Sequence, residues 1–346
     1  FPPWPSFTPE EMRAVQAVLS SNKVNYWTGS EGREFEREFA AWVGTRHAIA
    51  LMNGTVALDL ALKALGIGPG DEVVMANPAF VVYKLVTLLF GAKPVEVPLR
   101  DWTHDLPAMA AAVTPHTKLV CVCSPNNPTG TANSGEQLEA FIRAMPDHVV
   151  VVIDEAYIEY LENPPDLKPL IREGKNLICL RTFSKIYGLA ALRVGYGYAS
   201  PDLCALLERV RQPFNVNAIG QAAALAALDD KDFADRCRRA NAEGMAAVEC
   251  ALSDLGFKFV RSCANFVLSK VGDGTGCFSR LQQRGIIVRP MVVYGLNDWV
   301  RITIGNPEAN GALLEGLRAW RFSSKGCPVG LSGGFDLKLT ERSASV

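Results

Sequence analysis

From residue 48 to residue 199 the chain repeats one pattern: a short run of apolar, often β-branched positions, a polar break, then apolar residues three and four apart. The runs predict strands over Ala48 to Met52, Glu72 to Ala76, Pro94 to Val97, Leu119 to Cys123, Val149 to Asp154, Leu177 to Thr182 and Val194 to Ala199. Helical spacing lies between them over Val56 to Leu65, Val82 to Phe90, Gly135 to Met145 and Pro201 to Val210. Strands alternating with helices predict an α/β fold with a seven-stranded, mostly parallel sheet covered by helices.

After Asn217 the pattern changes. A long Ala-rich stretch to Leu255 predicts two helices broken near Asp229-Asp230. Short strands over Phe257 to Val260, Asn265 to Leu268, Ile286 to Val288 and Trp299 to Ile304, with helices over Gly276 to Gln283 and Glu308 to Trp320, predict a smaller α+β domain. The expected division is an N-terminal segment 1–32, a large domain 33–215, a small domain 216–321 and a disordered tail 322–346. One helix is expected in the N-terminal segment, over Pro9 to Leu19, with Thr8 as its cap.

Composition narrows the function classes. The 346 residues are 49% hydrophobic and 21% charged with a formal net charge of -1, so no global field gathers nucleic acid or an anionic membrane. No apolar segment approaches the roughly 20 residues that span a bilayer. Phe1-Pro2-Pro3-Trp4-Pro5 lacks the regions of a signal peptide, and the cytoplasm is the expected location. The nine cysteines include no CxxC pair and are expected to be reduced thiols; the four histidines offer little support for a metal site.

Candidate chemistry gathers at predicted strand ends, where open α/β sheets bind ligands. In Arg181-Thr182-Phe183-Ser184-Lys185, the lysine amine can hold an aldehyde cofactor as an imine or can be an ordinary loop lysine. Asp154, ending the apolar run from Val149, can ion-pair with a protonated pyridine nitrogen or simply cap a turn. Tyr157, three residues on, can donate to a phenolate oxygen, as can Asn127 in the rigid turn Ser124-Pro125-Asn126-Asn127-Pro128-Thr129-Gly130. Asn53-Gly54-Thr55-Val56 opens a helix, so its backbone N–H groups can receive a phosphate, or the segment is a plain capped turn. Arg193, with Thr182 and Ser184, can close the other side of that phosphate. Tyr83 is either a platform for a flat ring or a core aromatic. Arg289 and Arg301 each punctuate an apolar strand and can grip carboxylate or phosphate oxygens, or form edge salt bridges.

Ala92-Lys93-Pro94-Val95, Thr103-His104-Asp105-Leu106, the Asn126 to Gly130 turn, Asp154-Glu155-Ala156-Tyr157, the Lys185 segment, Ala264-Asn265-Phe266-Val267 and the two arginine strands share a resemblance. From about Met75 to Trp320 the chain resembles the fold-type I pyridoxal-phosphate enzymes, and specifically the histidinol-phosphate aminotransferases. The resemblance implies pyridoxal 5'-phosphate as cofactor, with Lys185 as its covalent anchor and proton carrier and Asp154 paired with the ring nitrogen. It further implies Asn127 and Tyr157 on the phenolate oxygen, Tyr83 stacked on the ring, and Thr182, Ser184, Arg193 and the Gly54-Thr55-Val56 backbone on the phosphate. Arg301, helped by Arg289, would take the substrate's carboxylate or phosphate.

The first 75 or so residues, with Trp4-Pro5-Ser6-Phe7-Thr8-Pro9, Asn25-Tyr26-Trp27-Thr28-Gly29 and Phe35-Glu36-Arg37-Glu38-Phe39-Ala40, resemble sugar-nucleotide aminotransferases of the same fold. The Asn-Glu-Asn-Pro entry loop and Arg-Tyr-Pro-Asp turn of the histidinol-phosphate enzymes are missing there. In that family a tyrosine of this region reaches the neighbouring subunit's site, which makes Tyr26 the candidate. The expected activity is transamination between histidinol phosphate and 2-oxoglutarate by a homodimer acting on amino-acid and keto-acid substrates. The alternatives are a decarboxylase of threonine phosphate, a sugar aminotransferase, and a non-catalytic regulatory protein that binds the cofactor.

Overall fold

The computed structural model describes residues 8–21, 23, 29–44, 47–51, 54–212 and 215–324. Helices α1 (Pro9–Ser21) and α2 (Glu31–Val43) precede β1 (Ala48–Leu51) and α3 (Gly54–Ala64). Strand and helix then alternate through β2 (Glu72–Asn77), α4 (Val82–Leu89), β3 (Lys93–Pro98), α5 (Leu106–Ala111), β4 (Thr117–Cys123) and α6 (Gly135–Ala144). β5 (Val150–Asp154), α7 (Lys168–Arg172), β6 (Leu177–Thr182) and β7 (Gly195–Ala199) follow, then α8 (Pro201–Val210), α9 (Ala218–Asp229) and α10 (Lys231–Asp254). The remainder holds β8 (Lys258–Val260), β9 (Phe266–Lys270), α11 (Gly274–Gln282), β10 (Arg289–Met291), β11 (Leu296–Thr303) and α12 (Pro307–Ser324).

Seven strands form one sheet in the order β1-β7-β6-β5-β4-β2-β3. β2 to β6 run parallel, and β7 is antiparallel to both of its neighbours. Helices cover both faces, which is why β5 is buried at all five positions and its sequence shows no alternation. β3 lies outside β2 and β4 on its other side, so the winding reverses there and leaves a crevice at the carboxyl ends of the strands. Across that crevice Asn126 Nδ2 donates to Pro78 O at 3.1 Å.

The second sheet is antiparallel, in the order β10-β11-β9-β8, and its core joins Val267 and Val300 to Val248, Leu252, Leu281 and Leu317 of α10, α11 and α12. The strand expected over Ile286 to Val288 is displaced: the paired residues are Arg289–Met291. Ile286 N instead donates to Leu281 O to finish α11, and Ile287 is 78% exposed, so the apolar run belongs to a helix exit. The break between α9 and α10 falls where expected, with Asp230 accepting from Phe233 N at 2.9 Å. α9, although Ala-rich like its successor, places Ala223, Ala224 and Ala227 in the large core rather than the small one. Thr8 caps α1, accepting from Glu11 N at 3.2 Å while its own N–H donates to the Glu11 carboxylate at 2.6 Å. Residues 322–324 of the expected tail belong to α12, and the rest of it lies outside the described residues.

Helices α2, α5 and α7 have no counterpart in the sequence expectation. α2 is dense in charge, yet Phe35 and Phe39, four apart, are at most 1% exposed. Phe35 meets Phe183 and Tyr196 edge-on, with centroids 5.7 and 6.3 Å away. Phe183 lies two residues before Lys185, so α2 clamps the segment that carries the lysine. The free edge of β1 is covered by side chains: Ala50 N donates to Glu36 Oε1 at 3.0 Å, and Ala50 O accepts from Asn215 Nδ2 at 3.3 Å. Replacing Phe35 with Ala is expected to cost about 3–5 kcal/mol in urea unfolding; a loss below about 1 kcal/mol would contradict the clamp.

Candidate active site

Parallel strands deliver their last residues to the same end of the sheet, and three adjacent ends meet here. Cys123 of β4 pairs in register with Asp154 of β5, which pairs in turn with Leu180 of β6. Asp154 is 9% exposed; its Oδ2 accepts from Tyr83 Oη at 2.6 Å and its Oδ1 from Ala156 N at 3.0 Å. Burial pushes the Asp154 carboxyl up, while the two donors and the Lys185 charge pull it down. Tyr83 is held protonated by its own burial and by the Asp154 charge, so it remains the donor. Its ring is edge-on to Phe80 at 5.7 Å and 2% exposed, with the hydroxyl committed to Asp154.

Lys185 is half-buried, with Nζ 5.1 Å from the centre of the Tyr157 ring. Burial lowers its pKa first, then the Arg301 and Arg193 charges, against the opposing pull of Asp154. An amine brought nearer neutrality is the nucleophilic form. Tyr157 stands edge-on to Phe266 of β9 at 5.2 Å, and Arg301 of β11 lies over that same ring at 4.8 Å. Arg301 Nη1 donates to Asn127 Oδ1, leaving the Asn127 amide nitrogen to face other partners. Arg301 Nε is buried and makes no hydrogen bond among the described residues. The two sheets thus share one site, joined again where Cys263 N donates to Gly130 O at 2.7 Å.

A second group lies beside Lys185. Ser184 N donates to Thr182 Oγ1 at 3.0 Å, and Arg193 Nη1 donates to Ser184 Oγ at 3.4 Å and to Ala190 O at 2.6 Å. Arg193 has φ 56°, a left-handed conformation costly for a side-chain-bearing residue, and it turns the chain back into β7. α3 packs against β6 and β7 and begins at Gly54, so Gly54, Thr55 and Val56 form its first turn, where backbone N–H groups have no helical acceptor. Arg289 is exposed and directly opposite Arg301 in the antiparallel pair, and neither forms an ion pair among the described residues. Tyr26 and Asn53 lie outside the described residues.

The sequence reading missed two things. Phe266 as the floor under Arg301 had no signal beyond an aromatic in a strand. Glu155 and Arg181, which meet at 2.7 Å, did have one: charges set against otherwise apolar runs.

The aminotransferase class I and II family model matches residues 5–317. The chain belongs to that family. The match includes the N-terminal stretch that resembles sugar-nucleotide enzymes. Histidinol-phosphate aminotransferase 2 of Ralstonia nicotianae is 50% identical over 278 residues, covering 78% of this chain and 74% of that protein. The histidinol-phosphate aminotransferase of Akkermansia muciniphila is 45% identical over 310 residues, covering 88% and 85%. In three dimensions the chain is similar to the Sinorhizobium meliloti histidinol-phosphate aminotransferase crystallised with pyridoxal-5'-phosphate, with a TM-score of 0.84, 27% identity and coverage of 92% and 88%. The protein is an aminotransferase, acting on amino-acid and keto-acid substrates. Among its described residues no helix is long and apolar enough to cross a membrane.

Replacing Tyr83 with Phe removes the donor that holds Asp154 down, so the carboxyl pKa rises further. A carboxyl that binds its proton more tightly in the native state makes stability fall as pH rises from the ordinary carboxylate range through the raised value. The Tyr83→Phe loss is therefore expected to reach about 1.5–3 kcal/mol at about pH 8 and to be smaller at about pH 4. Urea titrations of the cofactor-free protein measure it, and equal losses at both pH values would refute the coupling.

Proposed function

We propose that this aminotransferase uses pyridoxal 5'-phosphate held on Lys185 to exchange an amino group between histidinol phosphate and 2-oxoglutarate. The observation that carries the reading is the identity of 45–50% to two histidinol-phosphate aminotransferases over most of the chain. The residues fit the cofactor on chemical grounds: a half-buried amine of lowered pKa, a buried carboxylate at a strand tip, and an arginine with two hydroxyl-bearing neighbours beside a helix start.

When bound, the cofactor supplies an electron sink for the charge that develops at the substrate α carbon. Asp154 would hold a negative charge opposite the ring nitrogen, and the Tyr157 hydroxyl and Asn127 amide would donate to the phenolate oxygen. Thr182, Ser184, Arg193 and the N–H groups of Gly54, Thr55 and Val56 would hold the phosphate. Lys185 Nζ would take the proton from the substrate α carbon, its lowered pKa favouring the neutral amine that accepts it. Arg301 would clamp the substrate carboxylate with the nitrogens that Asn127 leaves free, and Arg289 and Tyr26 would complete the substrate contacts. The assembly proposed is a cytoplasmic homodimer. α4 supports the pairing, exposing Leu85, Leu88 and Leu89 at 57%, 52% and 77%, an apolar stripe a second copy would cover.

Adding glutamate or histidinol phosphate to the loaded protein is expected to bleach its visible band; threonine phosphate is expected to leave it unchanged. Carbon dioxide released from threonine phosphate would move the assignment to a decarboxylase, and a preparation without a borohydride-trappable band would overturn the cofactor reading. Lys185→Ala is expected to abolish trapping and lower turnover by about 10²–10⁴-fold or more. Arg301→Lys, which loses the planar fork, is expected to raise the KM for glutamate by about 10–100-fold; an unchanged KM would remove Arg301 from the carboxylate site.

A further inference from the structure

Behind Asp154 and Lys185 the ends of β5, β6 and β7 are tied by buried charges. Glu155, 1% exposed, accepts from Arg181 Nε at 2.7 Å and from Tyr198 Oη at 2.7 Å, both on Oε2. The guanidinium carbon lies over two aromatic rings, 5.7 Å from the ring centres of Trp42 and Tyr198. Glu159 approaches the same guanidinium at 4.0 Å, and Arg238 of α10 donates to the Glu159 carbonyl at 2.9 Å. Glu159 makes no side-chain hydrogen bond among the described residues. Burial pushes Glu159 up to about 7, with the Arg181 and Arg238 charges pulling the other way.

The position of the pair is its significance. Glu155 directly follows Asp154, and Arg181 precedes Lys185 by four residues in the segment that leaves β6. Glu155 N donates to Leu180 O at 2.8 Å at the end of the β5–β6 ladder, and the ion pair joins the next residues on each side. We propose that the Glu155–Arg181 pair, seated on Tyr198, is a positioning brace that fixes Asp154 against Lys185 and so sets the electrostatics the cofactor experiences. The inference rests on the cofactor reading above. Neither residue reaches the reacting atoms; both act through their neighbours. A planar guanidinium can reach both rings and Glu155 at once, a reach the compact lysine ammonium does not reproduce.

The test uses full-length protein loaded with pyridoxal 5'-phosphate, comparing wild type, Arg181→Lys, Tyr198→Phe and a control, Glu72→Gln. Glu72 is a buried carboxylate held by Lys93 at 2.9 Å and Thr114 at 2.6 Å, at the opposite end of the sheet where β2 begins. Three quantities are read: the melting temperature, the midpoint of the visible band's pH titration, and the rate of cofactor loss into buffer. A displaced Asp154 supports less positive charge on the cofactor, so the midpoint is expected to move down by roughly half a pH unit, about a threefold change in proton affinity, in Arg181→Lys. Tyr198→Phe should move it less and in the same direction, and cofactor loss should quicken in both. Glu72→Gln should lower the melting temperature alone. Lower melting temperatures with an unmoved midpoint and unchanged cofactor loss overturn the brace, leaving an ordinary structural ion pair; so does an equal shift in Glu72→Gln. Should Arg181→Lys fail to fold, Tyr198→Phe decides, since it removes a single hydroxyl. A wild type without a visible band overturns the cofactor reading and the brace with it, whereas a normal band with unmoved variants overturns the brace alone.

Discussion

Asp154 is a carboxylate buried where charge is expensive, and much of the site answers that conflict. Removing an ionised carboxylate from water costs several kcal/mol unless donors replace the lost hydration. Tyr83 and the Ala156 amide supply two donors directly, and Lys185 supplies an opposing charge. Each partner comes from a different stretch of chain: the helix after β2, the turn after β5 and the loop after β6. The crossover connections of the parallel sheet are what bring those three to one corner. Lys185 feels the same burial with opposite sign, so one dry crevice pushes acid and base toward neutrality together.

The smaller sheet contributes more than a lid. Arg301 reaches from β11 to Asn127 in the loop after β4, and its positive charge helps depress Lys185. Gly130 in that loop has φ 76°, and a Cβ there would collide with Ser262, so the loop approaches the small sheet at a spacing only glycine allows. The loop after β4 and the lysine electrostatics are therefore coupled through one arginine of the small sheet. Neutralising that charge by pairing it with a carboxylate would relieve part of the depression of Lys185.

Strands and strand-end residues were legible from sequence because their signals are local. An unbroken Val149 to Ile153 run can only be a strand covered on both faces, and whatever follows it must emerge at the carboxyl edge. The lysine, the aspartate and the asparagine turn each announced themselves this way. Helix α2 was hidden because its surface charges dilute the Phe35–Phe39 spacing, and the core on which α9 packs was not legible because alanine packs on any surface that offers room. Contacts such as Tyr83 to Asp154, 71 residues apart, and Arg301 to Asn127, 174 apart, depend on the closed fold and leave no periodic trace. The displaced strand over Arg289–Met291 failed for a simpler reason: Ile286 to Val288 is more apolar than the strand that follows it.

At the rim of the large sheet, β1 is an outermost strand and would ordinarily present a ladder of unpaired amides and carbonyls to any extended peptide. Glu36 and Asn215 answer the N–H and C=O of Ala50 in the middle of that ladder, and Arg211 holds Glu36 in place at 2.6 Å. Edge strands left open recruit strands from other molecules. By spending a carboxylate and an amide on its own backbone, the chain removes from the β1 edge the docking geometry of Ala50 that another strand would use. Contact between proteins at this rim is thereby left to side chains, not backbones, to decide.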